Sequence, residues 1–154
     1  MTIRAILLDI GGVILLFDQA QYERDAQHGP VIPDFKRYER LNEAFVHFVR
    51  QLRPYYQTAT ICNGGSREAL NRKFRLNELV DLMVFDEEEG ISKPDARIYQ
   101  RTLLRLEVQA EEAIFVDDKE CNVEAARQLG LHAIHFRDTE QAISSIQALL
   151  SLST

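Results

Sequence analysis

Three acids stand where short apolar runs stop. Asp9 closes the run Ile3–Leu8 and precedes Gly11-Gly12, and Asp117 and Asp118 close the run Ala113–Val116. Carboxylates crowded on a low-dielectric floor repel one another, so they either take up protons or hold a cation. Hard oxygen donors select Mg²⁺, which keeps several waters and accepts a phosphate oxygen. An aspartate at the edge of such a site can also be a nucleophile that forms an acyl phosphate. Lys93 adds a cation ahead of a helix, placed to balance an anionic substrate. The turn Asn63–Ser66 offers backbone N–H groups at another helix start, which suits a phosphate.

These residues need elements to bring them together. Ile3–Leu8 reads as a buried parallel strand running into a tight turn. From Tyr38 to Arg53, apolar residues at Leu41, Ala44, Phe45, Phe48, Val49 and Leu52 mark one face of a helix, and Pro54 stops it. Thr58–Cys62 is a second strand, and Ser66 caps a helix to about Phe74. Leu82–Phe85 is a third strand. Pro94 reads as the first residue of a helix carrying Ile98, Leu103 and Leu104. Ala113–Val116 is a fourth strand, followed by a helix over Val123–Leu129 that Gly130 ends. Ala133–Phe136 is a fifth strand, and Asp138 or Thr139 caps the last helix. This alternation predicts an α/β, Rossmann-like three-layer fold, a parallel sheet of about five strands with helices on both faces. Ligands bind at the carboxyl ends of such strands. Asp9, Cys62, Asn63, Asp117 and Asp118 should therefore converge. Phe17–Pro33 holds Gly29, Pro30 and Pro33 with little apolar periodicity, and reads as an irregular excursion over that edge.

The 154 residues suit a single domain, 1–154. A 45% hydrophobic share is too high for a disordered chain. A net charge of −6 argues against a nucleic-acid surface. No apolar run spans a bilayer, and the N-terminal run meets Asp9 too early for a secretory leader. Cys62 and Cys121 lack metal spacing and read as free thiols, which points to a reducing cytoplasm.

Four segments, in order, resemble the haloacid dehalogenase-like hydrolase superfamily: Leu7–Val13, Thr60–Gly64, Gly90–Asp95 and Phe115–Ala126. The resemblance extends over Ile3–Ile14 and about Phe45–Leu150, in the subfamily whose cap follows the first motif. It implies that Asp9 is the nucleophile that attacks phosphorus. Asp9 and Asp118 then bind Mg²⁺ together, with Asp117 beside them as a direct or indirect ligand and the Gly11 carbonyl as a further one. Lys93 steadies the nucleophile and the transferring group, Cys62, Asn63 and Gly64 hold the phosphate, and Asn122 supports the last motif.

Two departures bear on activity. Phosphatases of the family carry a second aspartate two residues after the nucleophile, where this chain has Gly11. General acid–base help is worth ~10²–10⁴-fold, so leaving groups that depart without a proton, such as acyl or aryl phosphates, should suffer least. The usual Ser or Thr of the second motif is Cys62, a weaker donor. The cap is nearly absent, with only a short insert at 16–35 in its place, so the site should be open. It would suit a large substrate, a protein partner or a cap supplied by another subunit; the expected ligand is a phosphorylated small molecule or macromolecule.

The expected function is a Mg²⁺-dependent phosphohydrolase. The competing reading is a degenerate domain that binds a phosphorylated ligand or protein partner. Carbon–halogen hydrolysis fits poorly, because it needs no metal and an enclosed site. A phospho-receiver places its acid pair and lysine in another order. The acidic run Glu87–Glu89 reads as a solvated loop, and the four histidines show no metal spacing.

Overall fold

In the computed structural model, which describes residues 1–153, seven strands and seven α-helices, with two short 3₁₀ turns, follow one another along the chain. The strands are β1 (Ala5–Leu8), β2 (Leu15–Phe17), β3 (Glu39–Leu41), β4 (Gln57–Cys62), β5 (Leu82–Phe85), β6 (Ala113–Asp117) and β7 (His132–His135). The helices are α1 (Gln19–Ala26), α2 (Glu43–Leu52), α3 (Arg67–Phe74), α4 (Asp86–Glu89), α5 (Ala96–Leu106), α6 (Glu120–Gln128) and α7 (Thr139–Ser151). Five strands form a parallel sheet in the order β5-β4-β1-β6-β7. The order reverses at β1, from which the chain builds outward first through β4 and β5 and then, on the other side, through β6 and β7. That reversal opens a crevice at the carboxyl ends of β1 and β6.

The sheet is buried on both faces because its residues alternate. Ile6 and Leu8 of β1 join Ile114 and Val116 of β6 on one face, against Phe45 and Val49 of α2 and Ile146 of α7. Leu7 and Phe115 face the other way, against Ile98, Tyr99 and Leu103 of α5 and Ala126 of α6. Leu104 is exposed and lies outside that stripe. Among the described residues, no helix is long and apolar enough to cross a membrane.

The helix expected from Tyr38 begins only at Glu43. Glu39–Leu41 instead pairs antiparallel with Leu15–Phe17. Asn42 makes the break: its side chain caps α2 by accepting from the Phe45 N–H, and donates to the Val13 carbonyl and to Thr139 Oγ1. The segment expected to be irregular, 16–35, holds α1. Phe17, Tyr22 and Tyr38 pack ring to ring at 5.4–5.8 Å, Phe35 joins Phe17 at 6.4 Å, and the Tyr38 hydroxyl donates to Asp25 Oδ2 at 2.7 Å. The helix expected to start at Pro94 is capped by Asp95, which accepts from the Arg97 N–H, so Pro94 lies just outside it.

Thr60 Oγ1, buried in β4, has no hydrogen-bond partner in the protein. Val has the same shape without the hydroxyl, so Thr60→Val should raise stability by about 1 kcal/mol. Urea unfolding should show a higher midpoint at an unchanged slope, and a lower midpoint would refute this.

Candidate active site

Asp9 follows β1, with its backbone N–H donating to the Val116 carbonyl at 2.9 Å. That bond extends the β1–β6 ladder one step and sets Asp9 beside the end of β6. Asp9 Oδ1 accepts from the Ile10 N–H at 2.8 Å and from Lys93 Nζ at 2.9 Å. The turn then tightens, with Gly12 donating to the Leu15 carbonyl. Gly12 has φ +87°, and a Cβ there would overlap the Asp118 carboxylate, whose Cγ would lie 2.7 Å away. Only glycine lets the first loop approach that acid.

Lys93 is buried, 4% exposed, and its ammonium also donates to Asp117 Oδ2 at 2.8 Å. Its backbone is clamped by one side chain: Asn63 Oδ1 accepts from the Lys93 N–H at 3.0 Å, and Asn63 Nδ2 donates to the Lys93 carbonyl at 2.9 Å. Asp117 is fully buried and accepts three donors, from Lys93, from Asn122 Nδ2 at 3.1 Å and from the Lys119 N–H at 2.9 Å. Asn122 is held in turn by the Tyr99 hydroxyl, which donates to its carbonyl at 2.8 Å. Asp118 is exposed and turned to the crevice. Carboxylate oxygens of Asp9, Asp117 and Asp118 lie within 4.8 Å of one another.

Burial pushes the Asp9 carboxyl up to about 7; the Lys93 ammonium works against this, and the Asp117 charge adds to it. For Lys93 itself, burial opposes the charge, but Asp9 and Asp117 outweigh it and hold its pKa above the ordinary lysine value. Burial, with the Asp9 charge, pushes the Cys62 thiol up to about 12. Cys62 is therefore a neutral thiol and not a nucleophile. Its Sγ lies so near Gly65 that a Cβ there would come within 2.6 Å.

All nine residues singled out in the sequence reach this strand edge, but three act differently from the expectation. Asn63 spends its side chain on the Lys93 backbone and not on an anion. The Gly64 N–H donates to Asp86 Oδ1 at 3.0 Å, so it is not free for phosphate. Asp117, with three donors already, serves first to hold Lys93. The sequence reading missed Asp86 and Tyr99, which have no motif of their own, and Phe35, a lone aromatic in a proline-rich stretch. A cleft of about 380 Å³ lies over the acids, lined by Asp9, Gly11, Phe35, Asn63, Lys93 and Asp118 among others.

A family model described as haloacid dehalogenase-like hydrolase matches residues 31–136. Asp9 lies outside that span, and the β1–β6 pairing is what joins it to the matched residues. Acyl-CoA dehydrogenase family member 10 of Mus musculus is 41% identical over 100 residues, 61% of this chain and 9% of that protein. The phosphorylated carbohydrates phosphatase of Thermotoga maritima is 36% identical over 92 residues, 58% of this chain and 42% of that protein. The chain thus spans less than half the length of either relative. A Bacteroides thetaiotaomicron haloacid dehalogenase family enzyme, solved with magnesium and inorganic phosphate, superposes with a TM-score of 0.71. The alignment covers 91% of this chain and 98% of that one at 15% identity, a likeness of fold.

Proposed function

The chain belongs to the haloacid dehalogenase-like hydrolases, and on that premise we propose that it is a Mg²⁺-dependent phosphohydrolase working through an aspartyl-phosphate on Asp9. The observation that carries the reading is the Lys93 ammonium seated between Asp9 and Asp117, with Asp118 at the open side. With Asp9 ionised, three carboxylates against one ammonium leave two negative charges, which a divalent cation would balance while favouring the ionised Asp9, so the donor set fits the ion. Asp9, Asp118 and the Gly11 carbonyl would hold it, with Asp117 as an indirect support. When bound, Mg²⁺ supplies positive charge to a phosphate oxygen and lowers the repulsion between a carboxylate and its anionic target. The magnesium and phosphate in the B. thetaiotaomicron structure support this choice of ion.

Asp9 Oδ1 accepts from Ile10 and Lys93, which orients the carboxylate that attacks phosphorus. The bond from phosphorus to the leaving oxygen breaks, and its electron pair leaves with that oxygen. Lys93 offsets the charge of the transferring group. Water then releases phosphate and restores the carboxylate. Gly11 offers no acid to protonate the leaving oxygen, so substrates whose leaving group departs as an anion, such as acyl or aryl phosphates, are favoured.

Phosphate release from acetyl phosphate, p-nitrophenyl phosphate and glycerol phosphate tests this. Release should require Mg²⁺, and the first two should exceed glycerol phosphate by about 10²–10⁴-fold. Gly11→Asp should narrow the gap, since a Cβ at position 11 meets only Phe35 Cε1, at 3.8 Å. Release indifferent to Mg²⁺ would overturn the reading. A domain that binds a phosphorylated ligand without turnover is the second reading, favoured by Gly11, which supplies no acid for the leaving oxygen. It predicts phosphate binding with no release from any of the three.

A further inference from the structure

A second cleft, of about 590 Å³, adjoins the acids and shares Gly11, Phe35 and Asn63 with them. That volume is in the range of small-molecule sites. One wall is apolar, with Leu15 of β2 and Phe35 at the end of the insert. The opposite wall comes from α3, with Ala69 and Leu70. A ligand with its phosphorus at Asp9 has room to extend past these shared residues into this cleft.

Three of the polar groups along its floor are already engaged. The Asn63 side chain binds the Lys93 backbone, the Gly64 N–H binds Asp86, and the Ser66 hydroxyl accepts from the Ala69 N–H as the cap of α3. Cys62 offers only a weak donor. Away from the charged mouth, a sugar or other polyhydroxyl leaving group would lose its water against Leu15, Phe35, Ala69 and Leu70 for few partners, whereas an apolar chain or ring loses nothing polar on entry. The mouth carries Lys36, Arg72 and Lys73, with Lys73 paired to Glu39 and Arg72 to Glu68, an excess of one cation in a chain of net charge −6. That local excess of positive charge draws in an anionic ligand. The Lys73–Glu39 ion pair, at 3.6 Å, ties α3 to β3 across the mouth.

We infer that the leaving group is apolar, an acyl, alkyl or aryl body lying between Phe35 and the Ala69–Leu70 face of α3. This rests on the phosphohydrolase reading for the phosphorus end, and specifies what that end is attached to. Phe35 and Ala69 are specificity residues here, because they touch the leaving group and not the reacting atoms.

Binding of octylphosphonate and methylphosphonate, with Mg²⁺ present, tests the inference without turnover. The octyl compound adds about seven methylenes, and with half of them buried it should bind roughly 100-fold tighter. Ala69 is exposed in the first turn of α3, where an acid is compatible with the helix. Ala69→Glu should cut the preference to below about tenfold by placing charge on the apolar wall. Phe35→Ala, which removes the opposite wall, should cut it likewise. Equal affinities in the wild type would overturn the inference, as would a preference that survives both variants. A preference lost in the variants, in a protein that releases no phosphate from any substrate, would uphold the apolar cleft and refute the phosphohydrolase reading.

Discussion

Lys93→Met should destabilise the protein by about 3–5 kcal/mol at neutral pH, the cost of removing one partner from a buried charge cluster. The ammonium separates Asp9 and Asp117, at 2.9 and 2.8 Å. Without it two buried carboxylates face each other with no cation between them. Against a typical stability of about 5–15 kcal/mol, this is a large fraction. The loss should depend on pH with a definite sign. Asp9 is raised from 3.8 to about 7 with the ammonium in place, burial being the main cause, and removing the ammonium raises it further. A carboxyl whose pKa is raised on folding stabilises the protein below its unfolded value, and loses that contribution as pH rises through the folded one. The variant should therefore be closest to wild type near pH 4 and furthest above pH 7. Urea titrations at pH 5 and pH 8 measure this, and added Mg²⁺ should recover part of the loss at pH 8. An equal deficit at both pH values would show that Lys93 contributes by packing and not by charge.

Asp9→Asn should keep the fold and reduce phosphate release from acetyl phosphate by about 10³-fold or more, the scale seen when a nucleophile is removed. Asn has the shape of Asp, and its Oδ1 can still accept from Lys93. Lys93 also keeps Asp117 as a charged partner, so the buried cation is not orphaned. An amide cannot form the acyl phosphate. Acid-quenched wild type should carry label from radioactive acetyl phosphate on the protein, and the variant none. Comparable release by the two proteins would remove Asp9 from the chemistry.

The parallel sheet was legible because its strands are apolar on both faces and each is bounded by glycine, proline or a capping residue. β5 falls at the predicted residues Leu82–Phe85. The meeting of Asp9, Lys93 and Asp118 was legible from the order of the motifs. The antiparallel pair of β2 and β3 was not. Each strand has three residues, too few for a period of two to register, and the apolar spacing from Leu41 onward reads as helix. α1 was hidden for another reason. It buries no residue of its own, so it has no apolar stripe, and it is held by Tyr22 and Asp25 reaching Tyr38. The division of labour among the site residues was also out of reach. A motif says that Asn63 and Asp117 matter. Only coordinates show that the first grips the backbone of Lys93 and the second its ammonium.

The central position of β1 has a consequence for synthesis. Its Ala5–Leu8 segment pairs on one side with Gln57–Thr60 and on the other with Ala113–Val116. During synthesis β1 waits for its second neighbour until Ala113–Val116 has been made, with a row of backbone donors and acceptors unclaimed. Slow elongation before codon 113 should therefore promote coaggregation of nascent chains, and a chaperone that shields Ile6 and Leu8 during that interval should raise the yield.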